Sequence, residues 1–152
     1  MRFTELRAGS GTARMRLFAS IGALVLLGMA SPCFTGEASV APAQAAAQKW
    51  LALIDSADYA GSWSTAARHF RDSIPQSRWQ AMVASVRDPL GAVQSRQLTS
   101  ASLVHSLPGA PDGDYVVIQF STRFEHKAAA TETVTPMREP DGQWRVSGYY
   151  VR

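Results

Sequence analysis

Acid–base chemistry needs a carboxylate or an imidazole held partly out of water, so that its pKa moves toward the working pH. Most acids of this chain sit where they do something simpler. Asp55, Asp58, Asp72, Asp88, Asp112, Asp114 and Asp141 fall at expected helix ends or in turns, where a short acceptor side chain caps backbone amides. Glu125 and Glu139 flank turns. Glu132 alone falls inside a strand pattern, in phase with Val134. If that face points inward, Glu132 is a buried carboxylate and requires a partner. Arg123 and Arg145 are in cross-strand reach of it. Two readings follow: an ion pair that serves the fold, or a small enzyme with Glu132 as base and Tyr150 as hydrogen-bond donor. Glu132 is thus the catalytic candidate, and Arg123, Arg145 and Tyr150 are the ligand-binding candidates.

Other chemistries find less support. His69, His105 and His126 are 36 and 21 residues apart, so they lack the paired spacing of zinc ligands, and no metal site is expected. No serine sits in a Gly-x-Ser-x-Gly elbow, and the chain lacks a Gly-Lys-Ser/Thr phosphate loop; no cofactor is expected. Pro89-Leu90-Gly91 reads as a helix stop, and Arg96 as a solvated arginine.

The elements that must position these residues follow from periodicity. Ala46, Trp50, Leu53, Ile54 and Ala57 recur on one face of a helix. Asp58 is placed to cap a second helix, whose stripe is Tyr59, Trp63, Ala66, Ala67 and Phe70. A third carries Trp79, Met82, Val83, Val86 and Leu90. Ser73 and Pro75 suit its start, and Asp88-Pro89 its end. From Arg96 the period changes to two. Leu98 to Leu107 is rich in Ser and Thr, and Leu107 to Asp114 is a dense turn. In the clearest strand, Val116, Ile118, Phe120, Thr122 and Phe124 alternate with more polar residues. Thr131 to Arg138 is β-branched, Pro140-Asp141-Gly142 turns the chain, and Trp144, Val146, Gly148 and Tyr150 share one side of the last strand. Helices followed by closely connected strands predict an α+β domain, with N-terminal helices packed on a curved, four-stranded antiparallel sheet in a cone-like arrangement. Trp50, Trp63 and Trp79 should converge with Ile118, Phe120 and Trp144 in one core.

The first part of the chain is of another kind. Leu17 to Ala30 is almost wholly apolar and is preceded by Arg14 and Arg16. Fourteen residues are too few to span a bilayer, but they suit the centre of a secretory signal. Met1 or Met15 could be the start, and small residues would allow cleavage after Ala38 or Ala45. An uncleaved membrane anchor is the alternative. Cys33, the one cysteine, follows Pro32 rather than the small residue that lipidation favours. Residues 1–38 therefore read as signal peptide and leader, 39–45 as a flexible lead-in, and 46–152 as a single domain. Most of the net charge of +3 lies before Ala46: from Ala46 onward, eleven Lys and Arg face ten Asp and Glu. A nucleic-acid partner, which needs a basic patch on the folded part, is not expected.

Several segments together resemble a secreted bacterial family catalogued as domain of unknown function 4019. They are Lys49-Trp50-Leu51, Asp58-Tyr59, Ser62-Trp63, Arg87, Pro89-Leu90-Gly91, Ser95-Arg96, Leu107 to Gly113 before Tyr115-Val116-Val117, Glu132 to Met137, and Gly142 to Tyr150. The resemblance covers about Ala46 to Arg152 and implies no activity. Its helix-then-strand order is similar to the nuclear transport factor 2-like cone, which serves ketosteroid isomerases, scaffolds and dimerisation modules alike, so fold does not decide function. Isomerases of that type use acids on strands, and strand aspartates are missing here. The expectation is therefore an exported, non-catalytic envelope protein, periplasmic or extracellular, with no membrane span after processing. Its partner would be a small apolar ligand or another protein. A homodimer is one form of this, formed through an outer sheet face carrying Tyr149, Val151, Tyr115 and Val117.

Overall fold

The structure, a computed structural model, describes residues Val40–Arg152. The expected signal segment, the cleavage site after Ala38 and Cys33 lie outside the described residues, whereas the alternative site after Ala45 falls within the first helix. Helix α1 spans Ala41–Asp55, α2 Tyr59–Ser64, α3 Arg68–Ser73 and α4 Gln76–Arg87. A 3-10 turn, Asp88–Leu90, leads to strands β1 Val93–Val104, β2 Tyr115–Phe124, β3 Ala130–Arg138 and β4 Trp144–Val151. The strands form one open antiparallel sheet in the order β1-β2-β3-β4. The α+β class and the four-stranded sheet are as the sequence predicts.

Helix α1 begins earlier than its periodicity placed it. Residues 41–45 are its first turns rather than a flexible lead-in, with Pro42 at a position where a missing amide proton does no harm. The buried stripe is accordingly Ala43, Ala47, Trp50, Leu51 and Ile54. Ala46 and Leu53, expected in the core, are left half-buried at its edge. The expected second helix is two. Thr65 ends α2, and its hydroxyl donates back to the Gly61 carbonyl at 2.8 Å. The Ala67 amide then donates to the Val146 carbonyl at 2.8 Å, which fastens the break to β4. Asp58 caps α2 as expected, accepting from the Gly61 amide at 2.8 Å.

In α4 the buried stripe is Trp79, Val83 and Arg87. Met82 and Val86, expected beside them, are 50% and 45% exposed. The 3-10 turn is released into β1 at Gly91, whose φ of +73° glycine adopts without strain. There an added Cβ would stand 2.8 Å from Glu125 Oε2 and His126 Nδ1.

The helices cover one face of the sheet. Trp50, Leu51, Ile54, Trp79 and Val83 meet Val116, Ile118, Phe120, Val134 and Val146 in a single core, with Trp63 and Trp144 packed at its margin. The indole N–H groups of Trp50, Trp79 and Trp63 each find an acceptor, as buried tryptophans require. Trp50 donates to the Ser62 carbonyl at 2.7 Å, Trp79 to the Ser62 hydroxyl at 3.0 Å, and Trp63 to the Ile74 carbonyl at 2.8 Å.

The outer face of the sheet differs from expectation. Opposite Thr135 and Pro136, β4 carries an extra residue at Ser147, a bulge between Val146 and Gly148. Beyond it the alternation is reversed, because side chains alternate with a period of two and one added residue shifts the phase. Tyr149 now pairs with buried Val134, and Val151 with buried Glu132, on the helix side. Tyr150 is 62% exposed on the outer side. Tyr115 does belong to the outer face, yet it is fully covered, its hydroxyl donating to the Pro111 carbonyl of the preceding turn. Of the four residues that motivated a homodimer face, Val117 alone lies on that side and is partly exposed.

Candidate functional site

Glu132 lies in the middle of β3, opposite Phe120 on β2 and Val151 on β4, and it is completely buried. Four hydrogen bonds reach its two oxygens. Oε2 accepts from Arg96 Nε at 2.6 Å and from the Thr122 hydroxyl at 2.6 Å. Oε1 accepts from the Tyr149 hydroxyl at 2.7 Å and from Arg96 Nη2 at 3.2 Å. The guanidinium of Arg96 continues to Asp55 at the end of α1, with contacts of 2.7 and 2.9 Å. Arg87, at the end of α4, donates to the same Asp55 at 2.9 Å. Two cations and two carboxylates thus alternate in a chain that ties α1 and α4 to β1 and β3, while Thr122 and Tyr149 bring in β2 and β4.

The sequence-predicted residues are distributed otherwise than expected. Arg123 is exposed and Tyr150 faces outward. Arg145 pairs with Glu139 and with Asp141 beside the β3–β4 turn. None of the three touches Glu132. Its partners are Arg96, which the sequence marked as solvated, and Tyr149, moved inward by the bulge. Asp55, expected to act at a helix end, is an ion-pair partner.

Electrostatics hold Arg96 and Tyr149 in their protonated forms. Burial alone would lower the pKa of Arg96, but hydrogen bonds to Asp55 and Glu132, together with their charges, raise it well above its ordinary value. Burial, and then the adjacent Glu132 charge, raise Tyr149 far above an ordinary phenol, so it remains a donor. The Arg87 guanidinium stands 4.5 Å from the centre of the Phe124 ring. Its Nε and Nη1 are buried without hydrogen-bond partners, and the negative face of the ring offsets part of that charge. A general base must have a free lone pair within reach of the proton it takes. The oxygens of Glu132 already accept four hydrogen bonds, as many as a carboxylate's lone-pair sites ordinarily take.

A second feature is open to solvent. A cleft of about 660 Å³ runs between α1 and the β3–β4 hairpin. Its α1 side is Pro42, Ala45, Ala46, Lys49, Trp50 and Leu53, and its hairpin side is Gly142, Gln143, Trp144, Arg145 and Val146, with Thr65 at one end. The hairpin wall is held rigidly. Gly142 turns at φ +79°, its amide donating to the Glu139 carbonyl at 2.8 Å, and Asp141 accepts from the Gln143 amide at 3.0 Å. Glu139 also accepts from the Arg68 amide at 2.6 Å, which joins the turn to α3. The α1 wall exists because the helix is apolar over a wider arc than the sheet covers. Ala46 and Leu53, which sequence reasoning assigned to the core, line the cleft instead. Trp50 belongs to both features: one side lines the cleft, and its ring packs edge-on against Tyr149, 5.4 Å between centroids.

Among the described residues no group of three or more His, Cys, Asp or Glu could hold a metal ion, and no helix is long and apolar enough to cross a membrane.

Comparison with known proteins adds the following. The sequence matches, over residues 46–149, a family described as "Protein of unknown function (DUF4019)". No curated protein matches the sequence. In three dimensions the chain is similar to ActVI-ORFA from Streptomyces coelicolor, at 16% identity and a TM-score of 0.46, over 74% of this chain and 94% of that one.

Proposed function

This chain belongs to the DUF4019 family, and we propose that it is an exported, non-catalytic binding module of the cell envelope, taking a small apolar ligand in the cleft between α1 and β4. The observation that carries this reading is the cleft itself. Its volume of about 660 Å³ lies within the range of small-molecule sites, which are concave and mostly apolar with a few polar groups. Its walls present Leu53, Trp144 and Val146 beside Thr65 and Gln143. The residue that argued for an enzyme, Glu132, is engaged by donors from three strands and has no exposure to a substrate. The export half of the proposal rests on the leader, where a basic flank precedes an apolar run and small residues follow.

Titration of the isotope-labelled domain with decanol, followed by amide and indole chemical shifts, tests the binding reading. Shifts should concentrate at Ala46, Leu53, Thr65 and Trp144, and Leu53→Gln should weaken them. Shifts scattered over the surface, or none at all, would overturn it. For export, protein recovered from the envelope should begin between about Glu37 and Ala46, as cleavage at small residues requires. An intact Met1 or Met15 on that protein would refute it.

A further inference from the structure

We propose that the ligand of the cleft is a single-chain amphiphile with an anionic head, a free long-chain carboxylate, and that Lys49 receives the head. The inference rests on the reading of the cleft as a binding site and names the ligand class. It follows from the charges along the lining. Two cations stand there, Lys49 on α1 and Arg145 on β4, and no acid lines the cleft. Arg145 is already satisfied: Glu139 accepts one close hydrogen bond from it, and Asp141 accepts two, at 3.0 and 2.8 Å. Lys49 makes no hydrogen bond or ion pair with any described residue. The walls beside it are Trp50, Leu53, Trp144 and Val146. An ammonium on a flexible apolar stem can lie along such a wall with its charge at the water's edge. Apolar walls with one uncompensated positive charge at the rim complement an acyl chain ending in one negative charge. A neutral alcohol would leave that charge unmatched, and a cationic amphiphile would be repelled.

The test compares decanoate, decanol and decyltrimethylammonium, each below its micelle concentration, by calorimetric titration of the folded protein and of its Lys49→Gln and Lys49→Glu variants. Lys49 is exposed, so both variants should fold as the parent does. Because an exposed ion pair contributes little, decanoate should bind only about three- to fivefold more tightly than decanol. That preference should shrink with added salt. It should vanish in Lys49→Gln and turn toward decyltrimethylammonium in Lys49→Glu. If decanoate and decanol bind equally, and Lys49→Gln changes neither, the head-group assignment is wrong while the apolar cleft stands. If none of the three binds, the cleft is no binding site, and both readings fall together.

Discussion

At the scale of single residues, the informative position is Glu132. A carboxylate without exposure, held by a guanidinium, a phenol and a hydroxyl, is expensive to disturb from one side. Removing one member of a buried ion pair leaves the other charged and unmatched. Glu132→Ala should therefore destabilise the domain by about 3–5 kcal/mol in urea melts. Combined with Arg96→Ala the loss should be far less than additive, since both changes break the same contact. Strict additivity would mean that the two residues act separately. Tyr149 gives a prediction in pH. Its folded pKa is raised by burial and by Glu132, whereas in the unfolded chain it titrates near its ordinary value of about 10. The unfolded state thus releases this proton first. The contribution is complete below about pH 10 and declines as the pH rises further. Tyr59, pushed up to about 12 by burial and by Asp88, and Tyr115, raised by burial, act in the same direction. Tyr149→Phe should accordingly flatten the alkaline fall in melting temperature without abolishing it; an unchanged slope would contradict the assignment. The sequence singles out Glu132 as the acid inside a strand. It does not reveal the partners, because Arg96 lies in a Ser- and Thr-rich strand whose pattern gives no sign of an inward side.

At the scale of elements, the bulge at Ser147 decides which of two adjacent tyrosines enters the core. Strict alternation along β4 places Tyr150 with Trp144 and Val146, and it misplaces the tyrosine because one extra residue leaves no mark in composition or period. Tyr150→Ala should change stability by less than about half a kcal/mol, as for exposed sites elsewhere. Tyr149→Phe, which removes a hydrogen bond to a charged group, should cost about 1.5–3 kcal/mol. Equal losses in chemical denaturation would mean that β4 has no such bulge. Strand β2 is otherwise legible: Val116, Ile118, Phe120 and Phe124, the apolar members of its alternating face, are all buried as the pattern predicts. The helices were legible as elements but not in their rotation. Apolar residues on α1 and α4 exceed what the sheet can cover, and the surplus differs in fate. Ala46 and Leu53 line a cleft, whereas Met82 and Val86 meet solvent. A periodic stripe gives the centre of a buried face more reliably than its edges.

At the scale of the whole molecule, one core must hold the domain, and Trp79 is at its crossing point. It packs edge-on against Phe70 at 4.9 Å and tilted against Trp50 at 6.0 Å, and it is 6% exposed. Trp79→Ala should cost about 3–5 kcal/mol, the range for emptying a large aromatic site. Against a total stability of about 5–15 kcal/mol, that leaves the domain marginal or unfolded at room temperature. A variant as stable as the parent in urea would place the indole outside the core. The order of the elements also has a consequence in time. Helix α1 finds its partners on β2, β3 and β4, all of which leave the ribosome after it. Until Val146 has been synthesised, the face bearing Trp50 and Ile54 has no complete surface to close upon, and such distant pairings form slowly. The nascent chain therefore carries an open amphipathic helix through most of its elongation, and the domain closes only when its last strand arrives.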